Sequence, residues 1–105
     1  MKLMTQEVIK GLPKLYSQEN VEDPIVRVKF FTPDAGWTWY VTEGEQKEYD
    51  HGMDWLFFGK CVSPMCPDGE WGYTTLGQLQ EVRGGLGLPV ERDMYFDPKP
   101  ASQCK

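Results

Sequence analysis

Apolar and polar residues alternate along two stretches of this chain with the period of two that turns one face of a β-strand inward and the other outward. In residues 25–32, Val26, Val28 and Phe30 alternate with Arg27, Lys29 and Phe31. Pro33-Asp34-Ala35-Gly36 follows as a turn, proline presetting one dihedral and glycine permitting another. Residues 37–43 alternate again, with Trp37, Trp39 and Val41 on one face and Thr38, Tyr40 and Thr42 on the other. Residues 55–62 are apolar on both faces, Leu56, Phe58 and Val62 against Trp55, Phe57 and Cys61, which predicts a central strand covered on its second side by a helix. Residues 71–74 read as a fourth strand after a turn at Pro67-Asp68-Gly69, and Met94-Tyr95-Phe96 as a last short one.

Two helices frame these strands. Thr5 as cap and Glu7 in the first turn predict a short helix that Gly11 and Pro13 end, with Val8, Ile9 and Leu12 facing inward. Thr75 caps a second over residues 76–83, where Leu76, Leu79 and Val82 recur at a spacing of three and Arg83 suits the negative end of the dipole. Gly84 and Gly85 stop it, and residues 84–89 are expected as a loop laid against the core. Residues 17–24 are a polar connection. Residues 43–54 hold five acids, one lysine and two glycines, and are expected as a solvated loop between strands. The expected fold is α+β: residues 1–105 form a single small domain with a mainly antiparallel sheet of four to five strands and two short helices, and residues 97–105 form a loose tail.

Composition narrows the function. The net charge is −5 and the sequence pI about 4.8, which argues against affinity built on neutralising many phosphates. No apolar run approaches the ~18 residues of a membrane span. Aromatic residues make up 13%, too many for a disordered acidic tail. Gln6, Glu7 and Lys10 interrupt any signal-peptide core, and three cysteines fit a disulfide framework poorly, so a cytoplasmic location is expected. Cys61, Cys66, Cys104 and His51 supply four zinc ligands on paper, without the paired knuckles of compact zinc sites. The plainer reading packs Cys61 in a strand and leaves Cys66 and Cys104 as surface thiols, and no cofactor or metal is expected.

Five features in order resemble domain-of-unknown-function family 2958 of bacteria and phages. They are Met-Lys-Leu-Met-Thr at the start with Leu12-Pro13-Lys14-Leu15-Tyr16; Asp23-Pro24-Ile25-Val26 with Val28-Lys29-Phe30-Phe31-Thr32-Pro33; Trp37-Thr38-Trp39-Tyr40-Val41-Thr42-Glu43; Phe57-Phe58-Gly59; and the run from Val82 to Asp93. The Cys61 and Cys66 pair is outside the pattern. The resemblance implies a protein carried on mobile elements, sometimes near antirestriction-type proteins that bind single-stranded DNA, and it transfers no catalytic residue.

The chemistry-bearing residues favour binding over catalysis. Residues 84–89 follow a helix end, whereas a phosphate loop precedes a helix start, and no Gly-Lys-Ser/Thr is present. His51 lies beside Asp50, no spacing singles out a carboxylate pair, and no nucleophile sits beside a base, so no catalytic residue is assigned. Glu43, Glu45, Glu48, Asp50 and Asp54, with Trp37, Trp39 and Tyr40, form the candidate partner-binding set. Such an acidic and aromatic surface suits a small cytosolic accessory protein that binds a host or element-encoded protein, in the manner of an acidic decoy for a nucleic-acid channel. The alternative is a single-stranded nucleic-acid-binding module that stacks bases on Trp37, Trp39, Tyr40, Trp55, Trp71 and Tyr73, with Arg27, Lys29, Arg83 and Arg92 as its cations. An enzyme of unassigned chemistry is the third reading.

Overall fold

A computed structural model describes residues 2–104. Helix α1 is Gln6–Gly11 and helix α2 is Leu76–Glu81. The strands are β1 (Ile25–Val26), β2 (Val28–Phe31), β3 (Thr38–Tyr49), β4 (Gly52–Ser63), β5 (Cys66–Thr75), β6 (Glu91–Arg92) and β7 (Lys99–Pro100). Five strands form an antiparallel sheet in the order β5-β4-β3-β2-β6, and β1 and β7 form a second, two-stranded sheet. This is the α+β architecture expected. Both helix starts follow their sequence signals: the Thr5 hydroxyl accepts from Val8 N, and Thr75 and Gln78 form a reciprocal capping box.

The sheet carries apolar residues on both faces. On one, Val28, Phe30, Val41 and Phe57 pack with Leu3, Met4, Leu79 and Val90, and Val8, Ile9, Leu12 and Leu76 from the helices press on them. On the other, Tyr40 packs with Val26, Ala101 and Cys104, with Val62 and Phe96 against them. The helix-covered central strand predicted from residues 55–62 is β4, which α2 contacts.

The acidic stretch is not a loop. Residues 43–54 lie almost wholly in the β3–β4 hairpin, paired from Glu43↔Phe58 to Tyr49↔Gly52. Tyr49, Met53, Trp55 and Leu56 let both arms continue as strand, with Glu43, Glu45 and Glu48 in β3 and Asp54 in β4. A bulge interrupts the ladder between Val41 and Glu43. Val41 pairs with Gly59 and Glu43 with Phe58, so Thr42 is the extra residue and the alternation shifts by one. Without it Glu43 would share the apolar face of Trp39 and Val41. With it Glu43 falls on the opposite face and Gly44 takes the core side, where a Cβ would meet Leu12 and Phe57 at 3.0 Å.

Other expectations also change. Arg27 splits the first predicted strand, because its N–H turns to Val41 O at 2.8 Å while β1 pairs with β7. Pro67-Asp68-Gly69 is a bulge inside β5 rather than a turn: Ser63↔Cys66 and Cys61↔Glu70 leave three residues facing one. Residues 94–96 are not a strand; Asp93 Oδ1 accepts from Tyr95 N at 3.0 Å and tightens a turn, and the short strand lies earlier, at β6.

Residues 84–89 do not lie on the core. Leu86 is 81% exposed, and the loop instead closes round Asp34, whose Oδ2 accepts from Leu86 N at 2.7 Å and from Leu88 N at 3.3 Å. A Cβ on Gly84 would run into that carboxylate, so glycine is required by space.

The expected loose tail is docked as far as Cys104. Strand β7 pairs with β1, residues Ala101–Gln103 form a 3₁₀ turn, and Ala101 and Cys104 are buried. Cys104 is therefore a core residue, not a surface thiol. Asp23 clasps this turn, accepting from Ser102 Oγ at 2.6 Å and Ser102 N at 2.9 Å. The hydroxyl bond first, then the amide bond, hold the Asp23 carboxyl below its ordinary range. Because the folded value is depressed, the clasp contributes above the unfolded carboxyl's pKa and is lost as pH falls through the folded value. A carboxyl ¹³C NMR titration should place the Asp23 midpoint below that of an unperturbed aspartate, and Ser102→Ala should raise it. A midpoint unmoved by Ser102→Ala would contradict the clasp.

Candidate functional site

The eight residues expected to form a binding surface do not converge. Glu43 is only 3% exposed, and its two carboxylate oxygens accept from Tyr16 N at 2.9 Å and Gln18 N at 2.8 Å. Asp54 is also engaged internally: Oδ1 accepts from Gly77 N at 3.1 Å and Trp55 N at 2.8 Å, and Oδ2 lies 3.5 Å from His51 Nε2. Glu45 pairs with Lys47 at 3.3 Å, leaving Glu48 and Asp50 as the exposed acids near the hairpin tip. Trp37 and Trp39 stack on each other, centroids 6.1 Å apart, on the helix-bearing side. Tyr40 is buried on the other side, with Lys29 Nζ 5.9 Å from its ring, and burial first of all raises its hydroxyl pKa.

Three of the four cations of the nucleic-acid reading gather around Asp93. Lys29 pairs with Asp93 at 3.5 Å, and Arg83 donates to the carbonyls of Gln80 and Val82 at 2.7 and 2.8 Å. Arg27 and Arg92 line a cleft with Glu7 and Asp93, whose carboxylates offset their charge. Among the described residues no group of three or more His, Cys, Asp and Glu side chains is placed to hold a metal ion. Cys61 sits in β4, Cys104 in the core beneath Tyr40, and His51 in the hairpin turn, its ring stacked on Tyr49 at 5.3 Å.

A different set does converge. The connection over residues 16–24 crosses the sheet face opposite the helices and, with β4 and β5, encloses a groove of about 270 Å³. Tyr16, Phe58, Trp71 and Tyr73 line it, and Glu19, Glu22 and Glu43 supply its charge. The rings form a continuous chain: Phe58 lies 5.6 Å from Trp71 and 4.9 Å from Tyr73, and Tyr73 lies 6.4 Å from Tyr16. Trp71, Tyr73 and Tyr16 are 42%, 52% and 55% exposed, an unusual amount of ring surface to leave in water on adjacent residues. The Tyr73 hydroxyl pKa is raised, by desolvation first and then by its hydrogen bond to Tyr16.

The model of a protein family of unknown function, DUF2958, matches residues 3–103. The chain belongs to the DUF2958 family. Comparison of this DUF2958 chain with curated proteins and with solved structures gives no match. No helix is long and apolar enough to cross a membrane among the described residues.

The geometry of the DUF2958 groove explains one backbone outlier. Tyr16 has φ +69°, a left-handed conformation that costs a non-glycine residue about 1–2 kcal/mol. The Glu43 carboxylate holds it there by capturing the N–H groups of residues 16 and 18, and so aims the Tyr16 ring at Tyr73. The sequence marks Trp71 and Tyr73 as strand aromatics. It does not mark Tyr16, Glu19 and Glu22, because nothing in a polar connection reveals which sheet face it will cross.

Proposed function

We propose that this DUF2958 protein acts by binding a basic protein partner, and that the groove between residues 16–24 and β5 is where it does so. The supporting observation is the pairing of exposed rings with carboxylates: Trp71, Tyr73 and Tyr16 stand beside Glu19 and Glu22 around a cavity large enough for a guanidinium group. A cation over such rings gains about 0.5–2 kcal/mol from the aromatic faces, and the carboxylates add attraction and orientation. The same carboxylates repel a phosphate backbone, which disfavours base stacking here. Glu48 and Asp50 on the projecting hairpin extend the negative field without forming a pocket. An accessory role on mobile elements, with the acidic surface engaging a nucleic-acid-handling protein, fits this chemistry.

The test uses the peptide acetyl-Arg-Val-Arg-Val-Arg-Val-Arg-amide, with Trp71→Phe identifying the reporting indole. The peptide should change Trp71 emission, with affinity falling as salt rises. Oligothymidylate should leave it unchanged at 50 mM salt. Charge reversal at Glu19 and Glu22 should weaken peptide binding at least tenfold, while reversal at Glu45 and Glu48 should change it less than threefold. Equal sensitivity to both pairs, or a response to oligothymidylate, would overturn the reading.

A further inference from the structure

The groove is one of two depressions that flank β5, and β5 is the outermost strand of its sheet. The second depression lies on the helix-bearing face, holds about 280 Å³, and is lined by Trp39, Phe57, Gly59, Cys61 and Gly72. It exists because two glycines oppose each other in the ladder, Gly59↔Gly72, and a Cβ on Gly72 would meet nothing within 4 Å. Trp71 and Tyr73 border both depressions. A strand laid beside β5 would thus have a receptacle for alternate side chains on each face.

The backbone of β5 is oriented for such an addition. Thr75 N–H turns away from β4 to Gln78 Oε1 at 2.9 Å, and residues two apart in a strand direct their N–H groups to the same side. By that alternation the N–H and C=O groups of Trp71 and Tyr73 point out of the open edge. Trp71, Gly72 and Tyr73 are all exposed. Natural sheets blunt a long edge with lysine, proline or a bulge. Here the Pro67-Asp68-Gly69 bulge closes the edge at one end, and residues 70–75 beyond it contain neither lysine nor proline. Charge selects the occupant. A second copy would bring another net charge of −5, with its own Glu19 and Glu22, against the same edge.

We propose that β5 takes up an extended basic segment of the partner protein as a sixth strand, cationic side chains entering the Glu19/Glu22 groove and small apolar ones entering the trough over Gly59 and Gly72. This rests on the proposed function and specifies its binding mode: main-chain hydrogen bonds to Trp71 and Tyr73 supply affinity and the two depressions supply selectivity.

Three forms of the arginine–valine peptide test it: unmodified, N-methylated at every valine, and N-methylated at every arginine. In a strand one alternating set of amides faces β5 and the other faces solvent. One methylated form should therefore bind within threefold of the unmodified peptide and the other at least tenfold more weakly. Amide hydrogen exchange at Trp71 and Tyr73 should slow when the unmodified peptide binds. If both methylated forms bind like the parent, strand addition is wrong while cation capture in the groove survives. If both are weakened alike, strand addition is likewise wrong. If no form binds, both readings fall. A dimer in sedimentation velocity whose Trp71 and Tyr73 amides are protected without peptide would assign the edge to a second copy and overturn the proposal.

Discussion

Glu43→Ala should lower the free energy of unfolding by about 3 kcal/mol, making it one of the most damaging single changes on the sheet face opposite the helices. The carboxylate is buried and accepts from Tyr16 N and Gln18 N, so its removal leaves two amides in a part-buried site with no acceptor. Hydrogen bonds to a charged acceptor each contribute about 1.5–3 kcal/mol, and relief of the left-handed Tyr16 conformation returns part of that loss. Glu43→Gln should recover less than half, because its amide has one acceptor oxygen and turns an NH₂ toward the second N–H. Urea denaturation checks the magnitude; on a chain of this length the melting temperature should fall by roughly 15 °C. A loss below about 1 kcal/mol would show that the residue 16–24 crossing is held by something else. Peptide binding should also fail in the folded variant at low temperature, since Tyr16 no longer faces Tyr73.

Phe57→Ala should cost more, about 4 kcal/mol, through a different mechanism. The ring is fully buried, 5.7 Å from Phe30 and 6.3 Å from Trp55, and it lies beneath Gly44. Truncation removes its transfer free energy and leaves a cavity bordered by two strands that cannot close in without breaking their ladder. Trp71→Ala removes a larger ring but should cost less, about 2 kcal/mol, because Trp71 is 42% exposed and its loss leaves no closed cavity. The two variants, compared by urea denaturation and by peptide titration, should separate cleanly. Phe57→Ala lowers stability, and Trp71→Ala lowers binding. Comparable losses of stability would mean that the exposed rings are part of the core.

The contrast shows how far an aromatic excess can be read from sequence. Alternation over residues 25–32 and 37–43 and the apolar run over 55–62 identify strands, and both threonine caps mark helix starts, because each signal lies within a few residues. The rings that are fully buried, or nearly so, turn out to be Phe30, Phe57 and Tyr40, whereas Trp37, Trp39 and Trp55 are half-buried and Trp71 is exposed. Indole size opposes complete burial, and alternation alone does not say which face of an edge strand stays open. The acidic stretch is hard to read for a related reason. Five acids in twelve residues look like a loop, yet Glu43, Glu45 and Glu48 sit in β3, Asp54 in β4, and only Asp50 in the turn. The Thr42 bulge was not legible at all. A one-residue insertion in a ladder is defined by its partner strand, and it decides whether Glu43 faces the core or the groove. Hence Tyr16, Glu19 and Glu22, whose relation to Trp71 is set by that choice, could not be joined to it by local pattern.

The loop over residues 84–89 has a bearing on the order of assembly. It contributes no buried leucine of its own, and its amides are gathered by Asp34, which stands 52 residues before Leu86. Asp34 in turn belongs to the turn joining β2 to β3. The loop therefore docks on Asp34 only after that hairpin has formed and the long intervening segment has closed on it, which makes its docking a late event in folding. By the same logic it is among the first regions to loosen under stress, since the Asp34 carboxylate and the loop's own backbone bonds, rather than a packed side chain, hold it in place.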